Sequence, residues 1–420
     1  MLSGVKSWYK DTFPNFSNWE IASGIAIACI AIVSSLAIMH GDSTLIEPGM
    51  QRYVAIPNYI ATIFLLFQLF RRKGKITINF ILLVALFISW VFDNFHLAVG
   101  IEPQPTFLLL AIFVIFCMLG KKTWHCGYII YRLFLIVTGL AGIIGFFCFL
   151  TNIFPPLRIV EYYGFSNGPD AIYIVYPFSY LTGGSAGLRI CGLFNEPGYY
   201  GTIAGLVLIA EKYNFRKFGN VIIFIAGLFT LSFAFYVLVI IFVVAFLYKS
   251  PRKILMVSLV IASIFVFVIP NVSTDSDLGA LLSRFTYDSK EKKFAGDNRS
   301  NTYFDAIYDS AKIRGDLITG LGAGSLKDEE KVSASTYKVV LLAHGYLGAI
   351  LIWVSLFVAS IHAMPKRYYA WILIICFFAS IYQRPDIYKA NYLLVLFGGF
   401  MNIYYIEYVE RKSIIRLNNK

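Results

Sequence analysis

Arg189 and Glu196 lie in one short string, Arg189-Ile190-Cys191-Gly192-Leu193-Phe194-Asn195-Glu196-Pro197-Gly198, which runs into an apolar segment. Gly192, Pro197, Gly198 and Gly201 break helix rules just ahead of that segment. Proline is tolerated at a helix start, and the free N–H groups there favour an anion. An arginine just upstream adds a planar, permanently charged donor fork matched to phosphate. The same arginine also fits an interfacial side chain reaching lipid headgroups beside a helix cap. His344 follows the apolar residues 339–343 and precedes Gly345 and Gly348, so small neighbours leave room around its ring. A histidine there suits general-base work near neutral pH, and equally a satisfied polar contact on an apolar helix. Arg384 and Asp386 follow a later apolar run. His40, His96, His125 and His362 have no ligand spacing, so no histidine metal site is expected. Gly320-Leu321-Gly322-Ala323-Gly324 lacks the Lys-Ser/Thr ending of a nucleotide loop and reads as a flexible turn.

These residues must be positioned by a chain of 420 residues that is 58% hydrophobic and only 14% charged, with a mean hydropathy of +0.69. Soluble chains carry about 25% charged residues. Apolar runs near bilayer thickness recur from one end to the other, so the chain reads as an all-α polytopic membrane protein. Soluble-enzyme and nucleic-acid-binding classes fall away. Twelve spans are expected, near 21–40, 55–70, 76–92, 107–119, 129–150, 193–210, 221–231, 233–248, 254–270, 339–361, 369–383 and 391–407. The first run has no convincing small-residue cleavage site and is read as a retained helix. The six cysteines sit in or beside apolar segments without CxxC spacing, so neither a disulfide nor structural zinc is expected.

A net charge of +12 here records topology rather than a polyanion partner. Basic residues gather at 71–75, 121–122, 212–217, 249–253, 366–367 and 411–420, and with Lys6 and Lys10 they number 20. The loops 41–54, 93–106, 151–192 and 384–390 hold five: Arg52, Arg158, Arg189, Arg384 and Lys389. That asymmetry puts both termini in the cytoplasm. Because 212–217 and 249–253 are both basic, the chain between them crosses twice, as a hairpin turning near 230–233. One integral domain, 1–420, is the economical reading. Its outer side carries an aromatic and glycine-rich loop at 151–192 and one large loop, 271–338, before the tenth helix. The large loop is soluble-like, with ten Lys/Arg against eleven Asp/Glu. Within it, 298–314 sets Tyr303, Phe304, Ile307, Tyr308 and Ala311 at helical spacing, an amphipathic helix fit to lie on the membrane or cap the bundle.

The string from Arg189 to Gly201 resembles the Arg-x-x-Gly-Leu-Phe-x-Glu-Pro signature of bacterial O-antigen polymerases of the Wzy type, within the O-antigen ligase and polymerase superfamily. Asn298-Arg299 through Gly320-Leu-Gly-Ala-Gly, then Ala343-His344-Gly345 with Gly348, is similar to that superfamily's large periplasmic loop and helix-opening histidine. Gln383-Arg384-Pro385-Asp386 and Gly398-Gly399 resemble the polymerase branch. The likeness runs in order over about 185–407. Where ligase-type relatives carry Thr-x-Ser-Arg, this chain has Thr230-Leu231-Ser232-Phe233, so no arginine carries over there.

The resemblance implies a multi-pass protein of the bacterial inner membrane. It would be an inverting, metal-independent glycosyltransferase without cofactors. It would join oligosaccharide repeat units carried on undecaprenyl diphosphate at the periplasmic face, during lipopolysaccharide O-antigen synthesis. Donor and acceptor are both undecaprenyl-diphosphate-linked oligosaccharides, and the implied pathway partners are membrane lipids, a chain-length regulator and a flippase. Arg189 would hold the diphosphate with Arg299 and Arg384. His344 is the first choice of base and Glu196 the second, Glu196 alternatively serving as ion-pair partner to Arg189. Alternatives are an O-antigen ligase passing finished chains to lipid A-core and a non-enzymatic lipid-linked oligosaccharide flippase or transporter.

Overall fold

The computed structural model describes residues 16–36, 50–71, 84, 95–96, 100–101, 120–162, 171–183, 187–247, 252, 287–288, 293–294, 300, 302–322, 336–382, 384 and 389–418. The described chain is mostly helical. Helices α1 (Asn18–Ser35), α2 (Met50–Arg71) and α3 (Lys121–Thr151) are followed by strands β1 (Arg158–Tyr162), β2 (Ala171–Tyr176), β3 (Ser179–Gly183) and β4 (Arg189–Gly192). Helices α4 (Pro197–Ala210), α5 (Phe218–Phe229), α6 (Phe233–Leu247), α7 (Thr302–Arg314), α8 (Tyr337–Ala363) and α9 (Tyr368–Ala379) come next. A last long helix begins as α10 (Ala390–Leu393), passes through a π turn at Leu394–Gly398 and continues as α11 (Gly399–Asn418). Two strand pairs of two residues each also occur, at 95–101 and 287–294. The spans expected at 76–92, 107–119 and 254–270 lie outside the described residues.

Among the described residues three helices, α1, α3 and α8, are long and apolar enough to cross a membrane. Their surfaces carry the same message. On α3, Leu133, Val137, Leu140, Ile144, Phe147 and Leu150 recur at three- and four-residue spacing and are all exposed, while Thr138, Gly139, Gly142 and Gly145 are buried. Large apolar side chains outward and small ones inward is the reverse of a soluble helix. It is the arrangement lipid-facing helices use to bring backbones close. The chain therefore has the character of a membrane protein.

At the centre is α4, Pro197–Ala210, in which every residue is buried. Its sequence has no charge, so no face of it needs water. Gly201 faces Thr230 and Ser232, and Gly205 faces Leu238, which seats α6 close along it. Between α5 and α6 the chain turns at Thr230–Ser232, with Leu231 at φ 49°, so residues 218–247 form two helices rather than one. At the C-terminal end of α4, Glu211 is almost fully buried. It takes Lys217 Nζ at 2.7 Å, Asn402 Nδ2 at 3.0 Å and Arg132 Nε at 3.3 Å. Three helices are thus pinned to one carboxylate.

Residues 151–192, expected as a loop in an all-α chain, instead carry the four-stranded antiparallel meander β1-β2-β3-β4. This is a correction to the all-α reading, and its reason is local. Arg158–Tyr162 and Ala171–Tyr176 are runs of β-branched and aromatic residues, which favour pleated, half-buried backbone. The two-residue turn Pro177–Phe178 sets the pairing of Tyr176 with Ser179. Alternation does the rest: Ile174, Tyr176, Leu181 and Ile190 pack on α3 residues Ile143, Phe146 and Phe149, and Tyr173, Tyr180 and Cys191 form the other face.

The amphipathic helix expected at 298–314 is present as α7, Thr302–Arg314. Phe304, Tyr308 and Ala311 are buried against the start of α8, through Leu317, Val340, Leu341 and Leu342. Lys338 of α8 reaches Asp305 at 2.9 Å and lies over the Tyr308 ring. The helix therefore docks on the bundle. Residues 320–322, expected as a flexible turn, are docked too. Helix α8 breaks at Gly345 (φ 68°, ψ 177°), and the carbonyls of Leu342 and Ala343 beside the break accept the N–H groups of Leu321 (2.7 Å) and Gly322 (2.9 Å). Gly320, at φ 82°, and Gly345 face one another so closely that a Cβ on either would meet the other segment's backbone. Gly320→Ala and Gly345→Ala should each lower stability by about 1–3 kcal/mol, the range for strained backbone positions. Gly183→Ala, whose added methyl meets only ordinary contact with Ile174, should leave the unfolding midpoint in detergent nearly unchanged.

Candidate functional site

The elements converge on the start of α4. Strand β4 carries Arg189 and ends at Gly192, whose φ of 62° turns the chain from the sheet towards the helix. Glu196 then sits as N-cap of α4 in extended conformation, with Pro197 as first helical residue. Its side chain makes no capping bond to its own helix. Instead it receives Arg384, 188 positions away: Nη1 donates to Oε1 at 2.8 Å and Nη2 to Oε2 at 2.6 Å. This fork-on-carboxylate geometry is the strongest form of such a pair. The two members differ in access, since the Arg384 side chain is 8% exposed and that of Glu196 is 36%. Burial works against the charge on Arg384, but the attraction and hydrogen bonds of Glu196 outweigh it and hold the guanidinium above its ordinary pKa.

Beneath the arginine lies Tyr199, one turn into α4, with the guanidinium carbon 5.6 Å from the ring centroid. The Tyr199 hydroxyl accepts from Asn391 Nδ2 at 2.7 Å. Asn391, at the start of α10, also donates to Ser35 Oγ at 3.0 Å, and Ser35 is 2.7 Å from the Tyr131 hydroxyl. A buried polar thread therefore runs from the ion pair through α4 and α10 to the ends of α1 and the middle of α3. Tyr199 also stacks on Tyr392. Neither Tyr199 nor Asn391 was expected from the sequence. The signal available was an amide inside an apolar run, which must find a partner in a low-dielectric setting.

Of the sequence-derived candidates, the structure brings Glu196 and Arg384 into contact. This answers the question of the carboxylate's partner differently from the nearby Arg189. Arg189 is half-buried, and its Nε donates to the carbonyl of Thr230 at 3.0 Å, which fixes it at the α5–α6 turn. His344 is buried immediately before the Gly345 break in α8. The start of α8 abuts the arginine's segment: Tyr337 stacks on Tyr382 with centroids 5.4 Å apart, and Thr336 Oγ1 donates to the Tyr382 carbonyl at 3.4 Å. Seven residues make two turns, so His344 shares the α8 face of Tyr337 about 10 Å further along. Arg299, Gln383 and Asp386 lie outside the described residues.

A small apolar cleft of about 80 Å³ opens beside these segments, lined by Phe233, Ala234, Val237, Leu238, Ala379 and Tyr382, with Ser380. One wall starts just past the Thr230 turn that holds Arg189, and the other ends two residues before Arg384. Cys191, in β4, is fully enclosed, and burial pushes its thiol up to about 12, which makes it inert. Among the described residues no three His, Cys, Asp or Glu side chains gather as a metal site. Comparison with models of protein families, with curated proteins and with solved structures finds no significant match.

The thread makes a stability prediction. Asn391→Leu keeps the volume but removes the amide that donates to the buried hydroxyls of Tyr199 and Ser35, and it should cost about 1–3 kcal/mol. Thermal unfolding in detergent would register the loss as a lower midpoint.

Proposed function

We propose that the chain is an O-antigen polymerase, an inverting glycosyltransferase that joins undecaprenyl-diphosphate-linked repeat units at the periplasmic face of the bacterial inner membrane. The observation that carries this reading is the meeting of Glu196 and Arg384. They come from the two widely separated strings on which the resemblance rests, and their contact supports treating those strings as parts of one site. The cleft supports it further. A polyprenyl diphosphate has an anionic head on an apolar tail, and here an apolar cleft lies next to segments that present Arg189 and Arg384. The twelve-span topology with both termini in the cytoplasm belongs to the same proposal.

In this reading the acceptor hydroxyl oxygen attacks the anomeric carbon of the donor sugar. The bond from that carbon to the diphosphate oxygen breaks, and its electron pair leaves with the lipid diphosphate. Arg189, Arg299 and Arg384 stabilise the charge that grows there, a form of catalysis by preorganised donors. The acceptor's proton passes to a base, His344 first and Glu196 second. Attack opposite the leaving group inverts the anomeric centre. Helix α7, docked on the start of α8, belongs to the outer loop that would cover the lipid-linked substrates.

Deletion of the gene, with gel analysis of surface lipopolysaccharide, tests the proposal. A polymerase predicts a single repeat unit capping the core and no ladder. Loss of every repeat unit would contradict it and point to a ligase if long periplasmic chains accumulate, or to a flippase if single cytoplasmic units do. Complementation with Arg189→Lys, which keeps the charge and loses the fork, should sharply reduce the ladder at unchanged membrane insertion. His344→Ala should remove it, and a normal ladder from either variant would take that residue out of the mechanism.

A further inference from the structure

Arg384 is a buried cation whose fork already grips two oxygens of an anion. Its two terminal nitrogens meet the Glu196 carboxylate at 2.8 and 2.6 Å. A guanidinium takes phosphate oxygens through the same two parallel bonds. Glu196 is not the only group at this guanidinium. Tyr199 lies under the guanidinium, and Asn391 fixes Tyr199 by its hydroxyl while also holding Ser35 of α1. Tyr199, braced through Asn391, thus gives the fork a floor besides the carboxylate that fills it. The occupant is the more exposed member of the pair. It is 36% exposed against 8% for its partner, it stands at an element boundary, and its side chain makes no capping bond. The dipole of the 14-residue α4 adds a positive potential at the same point, favourable to any anion there.

Resting on the polymerase reading for the identity of the anion, we propose that Glu196 is an internal occupant of a preformed oxyanion site on Arg384. The substrate's diphosphate displaces it, and the displacement delivers Glu196 as a base. Before the donor binds, the carboxylate is held in an ion pair and has a weakened pull on an acceptor proton. Once two diphosphate oxygens take the fork, the carboxylate turns to the exposed side with its lone pairs available. Proton removal from the acceptor is therefore tied to donor occupancy, which orders the two lipid-linked substrates although they carry the same head group. Arg384 has an anion on its fork before and after the exchange, so the buried cation is never left alone. That is the step which would otherwise be prohibitive.

Binding of inorganic pyrophosphate to the full chain in nanodiscs, by calorimetry without added metal, tests the exchange. If the site is open in about a tenth of molecules, the internal carboxylate weakens apparent affinity about tenfold. Glu196→Gln should then bind pyrophosphate about tenfold tighter than wild type, and Arg384→Ala should lose binding. Glu196→Asp keeps the charge but shortens the reach, so it too should bind tighter, and it carries the test if the glutamine variant fails to fold. Equal affinity of wild type and both Glu196 variants would overturn the exchange, as would pyrophosphate binding that survives Arg384→Ala or is absent from all variants. With lipid-linked repeat units, Glu196→Gln should lower kcat and KM together, a split that a purely structural defect would not give. The pyrophosphate result stands apart from the polymerase reading. A chain with the wrong assigned substrate would still show the affinity difference, and a true polymerase without the exchange would show a deletion phenotype but no difference.

Discussion

A guanidinium shut away from water can be kept only if something anionic stays on it. That constraint organises this molecule around Arg384. Glu196 meets it with two short hydrogen bonds, and in doing so ties the N-cap of α4 to the segment after α9. Taking either partner away would leave a charge in a poorly solvated place, the most destabilising kind of change in a folded interior. The pair therefore holds the start of α4 against the segment after α9. It also sets how close the start of α8 lies, through Tyr382, to the arginine's segment.

Helix α4 turns this local constraint into a global one. It has no polar face and is buried along its whole length, yet each end meets a charge cluster. Glu196 and Arg384 stand at one end, and Glu211 with Arg132, Lys217 and Asn402 at the other. Fourteen residues span about 20 Å, so the two clusters are held apart by a strut that cannot slide without breaking one of them. Around this strut the small face of α3 closes in with its large apolar residues outward, and Leu238 of α6 seats against Gly205, which is how a lipid-facing bundle gains contact without a soluble core.

The helices were legible because an apolar run of membrane length has few other fates. The expected spans at 21–40, 129–150, 193–210 and 339–361 all fall on helices, and charge balance correctly divided 221–248 into two. The sheet was hidden for a chemical reason. Tyrosine, isoleucine and valine enrich both strands and membrane-interface loops, so 158–192 read as a loop until its pairing was known. The Gly320 segment was misread because mutual close approach of two backbones leaves no trace in one segment alone. Arg189, Glu196, His344 and Arg384 were visible as costly charges and polar groups near apolar runs. Which of them pair was not, because a contact across 188 residues has no local signature. Tyr199 and Asn391 act through the arginine rather than as charges, and so went unremarked.

The direct test of the central claim, that this ion pair is a functional anion site and not only a structural tie, is the swapped variant Glu196→Arg with Arg384→Glu. Its folding and its polymer-forming activity would be measured side by side. The account predicts a thermal midpoint largely restored relative to either single change, with no ladder, because the fork now projects from the wrong helix. A swapped protein that folds and forms a normal ladder would contradict it.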